Sequence, residues 1–246
     1  MTIKLSETFK GIIWKLVLSH DSNLIAVESR QPEDRQVVFS ILNYESGAVL
    51  FKDVRVEESW FAALAHVHEN LVFITGYESE KSPVSKGITA INTNNQVQWQ
   101  RFNYSFYDAW AEGLRVYNPN VSPRRFEWLH YQTGESIMIS NPTPIKLDIQ
   151  IPTVCSKTAI LSGLSDTEIT GDAMTLTYRD KTICCFHELF QGNLRLKLFI
   201  LLDGNILFEE ILMEQIQKQQ LETFFIHKDH LFYIRNSNQI VSYNLV

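Results

Sequence analysis

The chain has 246 residues, 45% of them hydrophobic and 20% charged, with 10 glycines and 7 prolines. Such a composition can bury a sizeable core, and it excludes a disordered, collagen-like or disulfide-scaffold protein. The 22 Lys and Arg against 28 Asp and Glu leave a net charge of −6, which argues against nucleic acid and against an anionic membrane surface as partners, since both draw on an excess of cations.

Residues Met1 to Lys10 lack the basic start, uninterrupted apolar core and small-residue cleavage site of a secretory signal, so a cytoplasmic location is expected of the chain as given. The longest apolar stretch, Leu194 to Leu202, is broken by Arg195 and Lys197 and is too short to span a membrane. From Trp14 a repeat begins. Trp14 to His20 followed by Asn23 to Val27 returns as Trp60 to His66 followed by Asn70 to Ile74. Phe225-Ile226-His227 before Leu231 to Ile234 is a third copy, and Leu176-Thr177-Tyr178 before Thr182 to Cys185 a weaker one. Each reads as a strand, a polar turn and a more apolar strand, the pattern of a hairpin with one well-buried arm.

A second hairpin follows within each unit. Leu42 to Gly47 matches Leu129 to Gly134, with Ala90 to Asn95 and Leu201 to Gly204 as degenerate versions. The closing Gly or Asn sits where a tight turn needs positive φ. The sum is four strands per period of about 45 residues, the period of a propeller blade. The expected fold is a single all-β domain over 1–246, a small propeller of five four-stranded antiparallel blades. The units are 11–52, 59–101, 106–140, 172–213, and 222–246 completed by 1–9. Ile3-Lys4-Leu5 would add the missing strand and close the ring. Segment 141–171, with Pro142, Pro144 and Pro152 around an alternating Ile145 to Ile151, breaks the period and would make the blades six if it forms one. Glu209 to Leu221 is the one stretch with a helical stripe, a weak one through Leu212 and Ile216. Cys155, Cys184 and Cys185 are expected to be reduced and mostly buried, because adjacent strand residues face opposite ways and would strain a mutual disulfide.

Gly87 to Trp99, a Gly, an alternating strand ending in Ile91-Asn92, a turn and a strand ending in Trp99, resembles the blade motif of quinoprotein-type (PQQ-like) β-propellers. The whole chain also resembles uncharacterised bacterial families of propeller type. The resemblance implies architecture and no activity. The calcium-and-quinone site of quinoprotein dehydrogenases maps onto no residues here, so no cofactor is expected.

Candidate sites are few. His66 and His68 have the i, i+2 spacing that places two imidazoles on one strand face, a geometry of metal sites, but the sequence offers no third ligand. Because His20, His66 and His227 hold equivalent places in the repeat, they are expected on a ring, too far apart to share an ion, each with a structural role at a strand end. Trp14 and Trp60 begin the first strands of their units, and Trp110, with Tyr107 and Asp108, holds the related place in the third. Repeated Trp residues there either wedge between blades or rim a channel mouth, and in the second case Trp60, Tyr107, Asp108 and Trp110 would contact a small ligand or protein partner. The function expected is a non-catalytic, monomeric interaction or ligand-binding scaffold. The alternative is a hydrolase or lyase with acidic and His residues gathered at the mouth, which would need two carboxylates within about 5 to 10 Å or three metal ligands around one point.

Overall fold

A computed structural model describes residues 1–56, 59–77, 85–155, 169–217 and 223–246. Among these the chain is all-β apart from a 3-10 turn at Ser59–Phe61, and its strands form five antiparallel sheets. They fall into two compact units, Phe9–Leu147 and Met1–Thr8 with Asp148–Val246.

The first unit holds three sheets, each a meander in chain order. Sheet I is Ile12–Leu18, Leu24–Gln31, Gln36–Asn43 and Val49–Val54; sheet II is Ala62–His68, Leu71–Tyr77, Ser85–Asn92 and Val97–Arg101; sheet III is Ser105–Trp110, Gly113–Tyr117, Phe126–Leu129 and Ser136–Ile137. The inner strands of sheet I are buried almost from end to end while its outer strands are half exposed, which is why the former read as continuous apolar runs. Alternation then joins the sheets. From the strand Leu71–Tyr77, Val72 and Ile74 pack with Leu24, Ala26, Phe39 and Ile41 of sheet I. Leu71 and Phe73 point the other way, into Leu114, Val116, Leu129 and Tyr131 of sheet III.

The repeated turns have the same hydrogen bonds. Asn43 N and Gly47 N donate to Ala48 O and Asn43 O at 2.8 Å each, and His130 N and Gly134 N donate to Glu135 O and His130 O at 2.9 and 2.8 Å. Gly134 is required twice over: its φ is +65°, and a Cβ there would stand 2.5 Å from the Trp99 ring. Trp99 in turn donates Nε1–H to Tyr131 O at 2.8 Å, locking sheet II to the second hairpin of sheet III.

In the second unit, sheet IV runs Thr153–Cys155, Ile169–Tyr178, Lys181–Phe190, Asn193–Leu202 and Asn205–Ile216. Sheet V is ordered Thr2–Thr8, Gln239–Asn244, His230–Arg235, Phe224–His227 and Ile149–Gln150. The N-terminal strand does pair with the last strand, from Thr2 opposite Asn244 to Thr8 opposite Gln239. The irregular segment 141–171 makes no sheet of its own among the described residues. It lends a two-residue strand to sheet V and a three-residue strand to sheet IV, and 156–168 lie outside the described residues. The helical stripe at Glu209–Leu221 is overridden: Glu209, Glu210 and Met213 pair across the ladder with Phe199, Leu198 and Leu196. Bulges in that ladder shift the side-chain alternation and blur the strand period; 218–222 lie outside the described residues. Cys184 and Cys185 are free and buried, one packed with Phe186 and Phe199 and the other with Ile183 and Leu198, on opposite faces as adjacent strand residues must be. No helix among the described residues is long and apolar enough to cross a membrane.

Candidate functional site

Two side-chain clusters in the first unit carry chemistry. The first arises from a difference in turn length. In sheet I, residues 19–23 make the turn between the strands Ile12–Leu18 and Leu24–Gln31; in sheet II, His68 pairs with Leu71, and only Glu69, at φ +47°, and Asn70 intervene. The longer turn leans over the shorter one. Glu69 N donates to Asp21 Oδ1 at 2.8 Å, and Ser22 Oγ donates to Glu69 O at 3.3 Å. This brings the His20 ring to 5.4 Å from His68 and 6.2 Å from His66, centroid to centroid. The expectation that His20 and His66 stand far apart is therefore wrong. His20 lies beyond the end of its strand while His66 lies within one, and sheets I and II are packed neighbours, so their turns touch. His227 belongs to the other unit, where its Nδ1 meets Asp148 O at 2.9 Å.

Asp21 is the ligand-type residue that the sequence reading missed. Its Oδ1 accepts from Ser19 Oγ at 2.5 Å as well as from Glu69 N, which turns Oδ2 towards the imidazoles, 2.5 Å from His68 Nδ1 and 3.7 Å from His20 Nε2. His68 stacks on Tyr131 at 3.8 Å, and Tyr131 donates its hydroxyl to Trp110 O at 2.5 Å. His66, behind them, faces the same hydroxyl across 3.5 Å. Burial pushes His66 down to about 3, the neighbouring imidazoles His20 and His68 adding to the effect against the pull of Asp21. Burial also lowers His68, outweighing the attraction of Asp21 and Glu69. For Asp21 burial acts upward, but the hydrogen bonds from Ser19 and Glu69 and the charges of His68 and His20 hold the carboxyl below its ordinary value. The site is thus a carboxylate facing imidazoles, with burial disfavouring the charged forms of His66 and His68. The one cue in the sequence was the adjacency of His20-Asp21 to a turn aligned with that after His68.

The second cluster is on sheet III. A bulge between Phe106 and Asp108 leaves Tyr107 without a ladder partner, so Tyr107 and Asp108 both reach the guanidinium of Arg115. Arg115 donates Nε–H to Asp108 Oδ1 at 2.8 Å and its NH2 group to Oδ2, and Trp110 Nε1 donates to the same Oδ1 at 3.0 Å. The cation lies 4.7 Å from the ring centre of Tyr107, 5.3 Å from those of Trp110 and Phe126 and 5.9 Å from that of Trp128. Of the four residues read from the sequence, Tyr107, Asp108 and Trp110 are together. Trp60 belongs to another stack: it and Trp14 each lie 5.3 Å from Arg30, whose partner is the buried Glu28. The expectation that Trp14 and Trp60 both begin the first strands of their units is corrected: Trp14 lies within the strand Ile12–Leu18 at a bulge, whereas Trp60 lies in the 3-10 turn before the strand Ala62–His68.

A model of a domain family of unknown function, DUF4905, matches residues 18–99, most of sheets I and II. The match names no quinoprotein family, so it lends the quinoprotein resemblance of Gly87 to Trp99 no support. No curated protein matches. Among solved structures, the chain is similar to the β-propeller domain of the trilobed protease of Pyrococcus furiosus, at 12% identity over 96% of this chain and 67% of that one, TM-score 0.35. It is similar to a member of the DUF4221 family from Bacteroides vulgatus, at 9% identity over 97% and 94%, TM-score 0.36. It is also similar to Raptor of Chaetomium thermophilum, at 10% identity over 99% of this chain and 28% of that one, TM-score 0.37.

Proposed function

We propose that the protein is a non-catalytic interaction module, its five sheets acting as propeller blades, and that it takes a protein partner on the aromatic face of sheet III. One observation carries the reading. Tyr107 and Phe126, 49% and 45% exposed, flank a guanidinium that Trp110, Trp128 and Asp108 hold in place. Tyr, Trp and Arg are the residue types that dominate the binding energy of protein interfaces, and a ring fixed by stacking loses little freedom when a partner covers it. Asp108 is tied by Arg115 and Trp110, so a role for it as catalytic acid or base would first require breaking that pair, which disfavours a hydrolase or lyase at this spot. The antiparallel sheets of the described residues and their repeated turns support the scaffold part of the reading.

The test compares the wild type with Tyr107→Ala/Phe126→Ala in quantitative affinity capture, followed by measurement on the purified pair. Exposed rings tolerate truncation without loss of the core. A specific partner should be retained by the wild type and bind the double variant at least ~30-fold more weakly, corresponding to about 2 kcal/mol. Equal recovery by the two proteins of every captured partner overturns the proposal.

A further inference from the structure

The cluster at the turns of sheets I and II has a use that an interaction module does not require. We infer that His20, Asp21 and His68 form a binding site for a divalent transition-metal ion of the zinc type, independent of the aromatic face on sheet III. One ligand atom from each of the three residues lies within 4.8 Å of the others. Ligands about 2.0 to 2.1 Å from a tetrahedral ion stand about 3.3 Å apart, and the distances from Asp21 Oδ2, 2.5 Å to His68 Nδ1 and 3.7 Å to His20 Nε2, bracket that spacing. Two imidazoles and a carboxylate are a donor set that zinc and its first-row neighbours take, whereas calcium and magnesium prefer all-oxygen cages.

Three further features fit a cation. His68 Nδ1 is buried with no aligned hydrogen bond among the described residues, although it lies 2.5 Å from Asp21 Oδ2. A nitrogen and a carboxylate oxygen that face each other without an aligned N–H between them are reconciled by a positive ion. The outer contacts are built as well: Ser19 Oγ and Glu69 N occupy Asp21 Oδ1, leaving Oδ2 for the ion, and Tyr131 clamps the His68 ring by stacking. Outer partners of this kind orient ligands in metal sites. Finally, the side chains of His20, Asp21 and His68 remain 17%, 22% and 14% exposed, so an ion has a way in and water can complete its coordination. His66, turned towards Tyr131, stands outside the donor set.

Untagged protein, stripped with a chelator, is titrated with Zn²⁺ by calorimetry and with Co²⁺ by visible absorption. The expected result is one ion per chain, a Co²⁺ spectrum of four- or five-coordinate nitrogen and oxygen ligation, and a Zn²⁺ affinity weakened at least tenfold in each of Asp21→Asn and His20→Ala. Circular dichroism and thermal melts without metal show that the variants are folded. X-ray absorption at the zinc edge of the wild type supplies a readout that needs no variant, with two imidazole shells expected. Absence of saturable one-to-one binding overturns the inference. So do a sulfur shell, which would place the ion on a cysteine, and an affinity that neither substitution changes.

Discussion

Glu28 offers the sharpest test of how sheets I and II are joined. Its carboxylate is 1% exposed, accepts from Arg30 Nε at 2.7 Å within sheet I and from Leu64 N at 2.8 Å in sheet II. Glu28→Ala strands the Leu64 amide, a loss of about 1 to 2 kcal/mol, and removes the anion from a guanidinium whose side chain is 17% exposed. Breaking a buried pair from one side costs about 3 to 5 kcal/mol in all. Arg30 retains Ala62 O at 3.1 Å and the faces of Trp14 and Trp60, so the lower end, about 3 kcal/mol, is expected, or roughly 6 to 12 °C in Tm for a chain of this size. Glu28→Gln keeps an acceptor for the Leu64 amide and should lose about half as much. Urea unfolding followed by tryptophan fluorescence reads the region directly, since two tryptophans flank Arg30. A loss below about 1 kcal/mol for Glu28→Ala, or equal losses for Ala and Gln, would refute the apportioning.

Gly134→Ala and Gly204→Ala both place a Cβ at positive φ, but only the first meets a ring, while nothing lies within 4 Å of the second. Thermal melts should show the Gly134 variant losing at least about twice the ~1 kcal/mol expected from backbone strain alone at Gly204; equal losses would discount the Trp99 contact. Burial pushes the Cys184 and Cys185 thiols up to about 11 and about 12, so with Ellman's reagent at pH 8 Cys155, half-buried, should react first and the other two only on unfolding. Fast reaction of all three would contradict that burial. Burial, with the Glu45 carboxylate beside it, pushes the Tyr44 hydroxyl up to about 12. A raised folded value favours the neutral form, so its contribution is full below about pH 10 and is lost as the pH climbs from 10 to 12. Stability measured across that window should fall less steeply in Tyr44→Phe than in the wild type, and parallel curves would sink the assignment.

The hairpins were legible because their causes are local. The matched pairs Leu42 to Gly47 and Leu129 to Gly134 announce their turns through residues that tolerate positive φ, and period-two burial marks the strands between them. Even the pairing of Ile3-Lys4-Leu5 with the last strand followed from counting strands in the final unit. The stretch Glu209–Ile216 was obscured by bulges, which shift alternation by a residue and imitate a longer period. The aromatic cluster was half legible: Tyr107, Asp108 and Trp110 are close in sequence, but Arg115, Phe126 and Trp128 join them only across the ladder, through the register Asp108–Arg115–Trp128.

The amino-acid sequence by itself determined an all-β chain of repeated hairpins, where the turns fall and which hairpin arm is the more buried, since propensity, alternation and turn chemistry act over a few residues. The tertiary structure alone decided which turns touch. His20 and His68 meet because one turn is longer than the other and two sheets pack face to face, and that depends on core contacts between residues far apart in the chain, such as Ile41 and Ile74. The repeat aligned by sequence set His20 and His66 apart, whereas the packing of sheets I and II brings their rings to 6.2 Å.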